Sequence, residues 1–167
     1  EEIVEDFSVE IMARMESEVD TRTSLSCLQD GMYYPLWSAG DEIAVYVDGD
    51  ADPSRFYLKS GDGTTVAQFT GTRKGEEYLA VYPYEIAGPV SDDTLSVTLP
   101  STQKYVKDSF GPGAFPMLAS GSANDGLSFM NLCSVLKISL TGTAAVRNVK
   151  LTANDENTFM SGPASVA

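Results

Sequence analysis

The 167 residues contain no histidine. That absence removes Ser-His-Asp and Cys-His nucleophilic catalysis, histidine-ligated zinc and the commonest general base. Cysteine is scarce too: Cys27 and Cys133 are too few for a disulfide framework, too far apart in sequence to assign as a pair, and unable without histidine to close a four-ligand zinc site. No glycine-rich loop of the phosphate-binding kind precedes a helical pattern, so no cofactor is expected. No run approaches the roughly 20 apolar residues of a spanning helix, and the first residues lack the basic and apolar blocks of a secretory signal. The expectation is either a cytoplasmic protein or one whose leader has been removed, and an acidic start at Glu1 without Met favours the second. Positive charge is short, with 11 Lys and Arg against 24 Asp and Glu; the resulting −13 repels phosphate backbones and anionic lipid, so neither nucleic acid nor direct membrane insertion is expected.

What is present suits a single folded domain. A hydrophobic share of 43% with 21% charged residues is ordinary for a globular core, and the length fits one domain better than two. Residues 1–20 form an acidic leader in which Glu1, Glu2, Glu5, Asp6, Glu10, Glu16, Glu18 and Asp20 face a single base, Arg14. Inside it, "FSVEIMA" alternates: Phe7, Val9, Ile11 and Ala13 point one way, Ser8, Glu10 and Met12 the other, which predicts a half-buried strand over 7–13. Residues 21–167 read as the remainder of the same domain. "TLSVTLP" alternates as cleanly and stops at Pro100, which cannot donate to a ladder. Further strands are predicted over 42–47, 55–59, 65–71, 78–84, 134–142 and 146–153, each short and rich in β-branched or aromatic residues, with Gly, Asp, Asn and Pro between them. Such spacing predicts an all-β, antiparallel sandwich or barrel. The Gly/Pro/Ser-rich passage 101–126 is expected to be a long loop with one helical turn near Tyr105 and a short strand at "FPMLA".

Candidate chemistry is thin. Asp48, Asp50 and Asp52 imitate the opening of a calcium loop, but Pro53 and Lys59 stand where its Gly and Glu belong, which leaves a solvated acidic turn as the better reading. Tyr34, Trp37, Tyr82 and Tyr84 are candidates for a sugar-stacking platform, but aromatics packing at the edge of a sandwich is the better reading. Cys133, in "NLCSVLKI", reads as a small apolar residue rather than a reactive thiol. A pair of carboxylates for glycoside hydrolysis is always available among 24 acids, so it carries little weight. Arg22, beside Glu16, Glu18 and Asp20, reads either as a lone base offsetting acids or as a protease site before Thr23.

Several phrases in order carry a family likeness: "TRTSL" (21–25), "LWSAGDEIAVY" (36–46), "FTG" (69–71), "YLAVYPY" (78–84), "LP" (99–100) with Gln103, "PMLA" (116–119), "FMNLCSVLKISLTG" (129–142) and "VRNVKLTA" followed by "MSG" (160–162). Together they resemble the fimbrillins, subunits of surface fimbriae in Bacteroidales-type Gram-negative anaerobes. The resemblance implies a transthyretin-like β-sandwich of about seven to nine strands, export as a lipoprotein anchored through a cysteine upstream of this sequence, and a surface or outer-membrane location. It implies a second sandwich domain on the carboxy-terminal side. It also implies cleavage after Arg22 by a trypsin-like protease, release of the first strand (Phe7, Val9, Ile11, Ala13) and its replacement by a strand from a neighbouring subunit. If Phe7, Val9 and Ile11 are each worth about 1.5–3 kcal/mol when buried, that strand rivals the 5–15 kcal/mol net stability typical of a domain.

The expectation from residues and resemblance together is a non-enzymatic fimbrial or fimbrillin-like adhesive subunit, with other fimbrial subunits, including its own kind, as partners and a host protein or glycan as a further one. The alternative is a surface glycan- or host-ligand-binding module.

Overall fold

The structure is a computed structural model that describes residues 8–15 and 35–167, apart from 107, 108, 112, 135, 137 and 156. Among these residues the protein is all β and mainly antiparallel, with no α-helix. The strands are β1 (Val9–Met15), β2 (Glu42–Val47), β3 (Ser54–Ser60), β4 (Val66–Gly71), β5 (Glu77–Tyr82), β6 (Ala87–Ser91), β7 (Thr94–Leu99), β8 (Tyr105–Val106), β9 (Ser109–Phe110), β10 (Met117–Ser122), β11 (Gly126–Asn131) and β12 (Gly162–Val166), with one 3-10 turn over Tyr84–Ile86. Seven of them close into a barrel in the order β1-β11-β10-β5-β2-β3-β4.

Strand β1 closes the barrel. It runs antiparallel to β4 from Val9↔Gly71 to Arg14↔Val66, and parallel to β11 over Ala13↔Leu127 to Met15↔Phe129. The sequence predicts an open pair of sheets as readily as a barrel. The difference lies in this short parallel pairing, which joins residues more than a hundred positions apart and leaves no local pattern to read.

Two apolar cores share one wall. The barrel interior holds Ile11, Ile43, Val45, Phe56, Phe69 and Phe129 around Trp37, which is wholly buried and meets Phe69, Tyr82 and Phe129 edge-on at centroid distances of 4.9, 5.5 and 5.4 Å. Outside the barrel, the three-stranded sheet β12-β7-β6 lies against the wall, and Ala44, Tyr46, Val81, Ile86, Leu95 and Val97 fill the space between. β2 and β5 therefore bury both faces: Ile43, Val45 and Val47 face in, Ala44 and Tyr46 out. That is why "IAVYV" and "YLAVY" are continuous apolar runs rather than alternating ones.

Other expected elements differ. β1 begins at Val9 and continues to Met15, while Phe7 lies outside the described residues. Tyr105, expected in a helical turn, sits in the β8–β9 hairpin. The strands predicted over 134–142 and 146–153 are not formed in the described part of those segments; Leu136, Ile138, Leu140, Val146, Val149 and Leu151 are between 46% and 66% exposed. Alternation marks a segment that can join a sheet, but the closed barrel offers it no edge, and the edges of β12-β7-β6 carry no further strand among the described residues. β6, β11 and β12 are not among the predicted strands: β6 and β12 carry Gly and Pro, which reads as turn, and β11 starts at Gly126, the last residue of the passage read as loop, and runs on beyond it.

Candidate functional site

The side chains of β1 are placed by its period of two. Ile11, Ala13 and Met15 enter the barrel core and Val9 packs against it, while Glu10, Met12 and Arg14 face outward. On the outer face Glu10 receives hydrogen bonds from the Lys59 ammonium and, through its other oxygen, from the Gln68 amide. Strand-exchange candidates Val9, Ile11 and Ala13 thus occupy the inward positions expected of them. Arg22, Thr23 and Cys27 lie in 16–34, outside the described residues, as does Tyr34.

One end of the barrel is tied by a buried carboxylate. Asp41, the one buried acid among the described residues, accepts the Ser38 N–H on Oδ2 at 2.7 Å and the Tyr82 hydroxyl on Oδ1 at 2.8 Å. Burial raises its pKa above the usual carboxylate value; the Ser38 and Tyr82 hydrogen bonds pull the other way, and Asp62 adds a further raising effect. Tyr82 is raised as well, first by burial and then by Asp41. Neighbouring bonds stitch the same end: Ala39 N–H donates to Asp62 Oδ1 at 2.8 Å, Trp37 N–H to the Thr64 carbonyl at 2.9 Å, and Gly63 N–H to the Trp37 carbonyl at 2.8 Å. With both oxygens of Asp41 occupied and the side chain buried, this is a latch between the turn at Ser38 and the end of β5 rather than an acid or base open to a substrate. "SAGDE" reads in sequence as a plain turn; nothing local announces that its aspartate will be buried.

The acidic loop at 48–52 is also committed to structure. Asp48 sits at φ 51° with Gly49 at 82°, and its Oδ1 accepts the N–H groups of both Glu76 and Glu77 at 2.9 Å. Those two bonds, Glu77 first, hold its carboxyl below the usual range. Asp50 pairs with Arg73. Among the described residues no three His, Cys, Asp or Glu side chains group as metal ligands, and Asp48, Asp50 and Asp52 do not converge.

The aromatic platform is dispersed. Trp37 is 0% exposed and Tyr82 1%, so neither ring offers a face to a sugar. Tyr84 is half-buried, and the Arg55 guanidinium lies 3.9 Å from its ring centroid while donating to Glu42 at 2.8 Å. Tyr46 donates to the Gly88 carbonyl across the second core, and burial, with Asp52 and Tyr84 adding, pushes its pKa up to about 12. Cys133 is half-buried and its thiol is raised by burial, the opposite of what a reactive thiolate needs. No helix of the described residues is long and apolar enough to cross a membrane.

Comparison with protein-family models, with curated proteins and with solved structures finds no match for this chain. The geometry alone defines its class: an all-β domain with a closed barrel, a small sheet on one wall, and an amino-terminal strand as the closing stave.

Proposed function

We propose that this chain is a non-enzymatic structural or adhesive subunit of a bacterial surface fibre, related to the fimbrillins, that assembles by exchange of its first strand. The observation that carries the reading is the position of β1: it is the stave between β4 and β11, and the segment joining it to the rest of the barrel contains Arg22. Cleavage there would free β1 from the chain. Its departure would uncover six ladder positions on β4 and the slots of Ile11, Ala13 and Met15. An open apolar slot flanked by unpaired backbone pairs avidly with an incoming strand. Counting Ile11 and Met15 at about 1.5–3 kcal/mol each and Val9 at part of that, β1 is worth roughly 4–8 kcal/mol before entropy.

The transthyretin-like sandwich belongs to the same proposal, its two layers being the β2-β5-β10 wall and β12-β7-β6. So do export, lipid anchoring at the outer-membrane surface, and neighbouring subunits and a host protein or glycan as partners. The glycan-module alternative has lost Trp37 and Tyr82 to the core and has no observation in its favour.

Limited trypsin digestion of the folded protein, followed by mass spectrometry and sizing, tests the assembly reading. Selective cleavage after Arg22 that yields oligomers, with Arg22→Ala remaining monomeric, is the expected result. A cut that leaves an unchanged monomer, or no cut where other loops are nicked, would refute it.

A further inference from the structure

The largest unmet demand in the described structure lies beyond β11. Of its half-exposed or exposed large apolar side chains, eight fall between Leu136 and Met160. Residues 146–152, "VRNVKLT", have the composition and alternation of an amphipathic strand: Arg147, Val149 and Leu151 on one face, Val146, Asn148 and Lys150 on the other. Val149 is 53% and Leu151 50% exposed, and neither takes part in a ladder.

A few residues further on, the complementary demand appears. β12 is the outermost strand of the sheet β12-β7-β6; one side pairs with β7 from Gly162↔Leu99 to Val166↔Leu95, and its other side meets no strand among the described residues. Ala164 and Val166 pack on the second core from its margin. Free edges of this kind are sites of unwanted pairing unless covered. The link from 153 to 161 already turns: Asp155 Oδ1 accepts the Asn157 N–H at 3.0 Å and its Oδ2 accepts the Thr158 hydroxyl at 2.7 Å.

We propose that residues 146–152 are a strap that closes antiparallel onto the free edge of β12. The turn at Asp155 brings the two segments back to back, and the short link holds them at an effective concentration near the millimolar scale. Once paired, Val149 and Leu151 lie beside Ala164 and Val166 and lengthen the second core, while Asn148 and Lys150 remain in water. The occupant is the chain's own segment because connectivity favours it over any outside strand: Lys150 is twelve residues from Gly162. Arg147 and Lys150, in the acid-free stretch between Asp125 and Asp155, also suit a sheet whose β6–β7 turn carries Asp92 and Asp93. The strap does not depend on cleavage at Arg22.

Residue-resolved hydrogen exchange on the intact chain tests this. Closure predicts that alternate amides of 146–152 exchange at least about tenfold more slowly than those of 157–161, because an edge strand turns every second N–H to its neighbour. The slowing must be unchanged on dilution. Uniformly fast exchange over 146–152, or protection that vanishes on dilution together with a dimer in light scattering, overturns the proposal. A second test uses Asn148→Pro and Val149→Pro separately. N–H groups alternate in direction along a strand, so one of the two prolines must remove a bond to β12. That variant should speed exchange of the β12 amides by about tenfold or more and leave β5 unchanged. If neither variant changes β12, the strap is refuted.

Discussion

Gly71 ends β4 opposite Val9 of β1, and a methyl group there has no room. A Cβ built on Gly71 would lie 2.4, 2.5 and 2.6 Å from Cδ2, Cε2 and Cγ of Phe56, a ring that is fully buried in the barrel. Contact of one carbon with a ring carbon is comfortable near 3.5–4.0 Å, so Gly71→Ala demands about 1 Å of movement. The ring cannot swing away, because Phe56 is packed among the interior side chains, so either β4 or the core must distort. Overpacking of this kind costs about 1–3 kcal/mol. With a urea m-value of about 2 kcal/mol/M, a loss of 2 kcal/mol lowers the unfolding midpoint by about 1 M. Adding Phe56→Ala isolates the cause. Alone, that change costs about 3–5 kcal/mol through its cavity; in its presence Gly71→Ala should cost nothing further, a favourable coupling of about 1–3 kcal/mol in the double-mutant cycle. A Gly71→Ala variant within 0.5 kcal/mol of the parent, or one as damaging without the ring as with it, would refute the packing argument.

Tyr82→Phe removes a donor from the buried Asp41 carboxylate and should cost about 1–3 kcal/mol near neutral pH. Asp41 has a raised folded pKa, so its contribution is fully present below the ordinary 3.8 and is lost as pH rises through the raised value; the Tyr82 hydroxyl favours the ionised form and limits that loss, so the deficit of the Phe variant should shrink as urea midpoints are measured toward acid pH, and a constant deficit would contradict the latch. Ile11→Ala empties the central slot of β1 and should lower stability by about 2–5 kcal/mol in the same assay. Gly121→Ala would place a Cβ 2.0 Å from the Gly126 carbonyl oxygen across the β10–β11 hairpin, where only backbone can yield, and about 3 kcal/mol is expected.

Legibility followed the range of the interactions. β2 and β7 match their predicted ranges because their signals are local: a continuous apolar run bounded by turns for Glu42–Val47, strict alternation stopped by Pro100 for Thr94–Leu99. The inward set Val9, Ile11 and Ala13 was readable for the same reason. What escaped depends on partners far along the chain. Trp37 and Tyr82 read as packing aromatics before they read as a platform, but that they pack in a barrel interior rather than at a sandwich edge shows only once the barrel closes around them. Asp41 looks like a turn residue until Tyr82, 41 positions on, supplies a hydroxyl. Residues 146–152 carry a strand pattern without a ladder, because pattern states what a segment could pair with and not whether the pairing is made.

The two cores also make a distinct prediction for strand exchange. Every buried residue that β1 contributes, Ile11, Ala13 and Met15, belongs to the barrel interior; the second core draws on β2, β5, β7 and the 3-10 turn, with β6, β10 and β12 packed against it, and on β1 not at all. Loss of β1 should therefore open the barrel between β4 and β11 while β12-β7-β6 stays clamped to the β2-β5-β10 wall. A domain that vacates this slot without unfolding is what the proposed strand exchange requires. In protein cut after Arg22 and separated from its first strand, amides of Val66–Gly71 should exchange at least about tenfold faster, while those of β7 keep their protection. Loss of protection in β7 as well would mean that the two cores melt as one unit and that no folded acceptor survives. Unchanged protection in β4 would mean that β1 was never its partner.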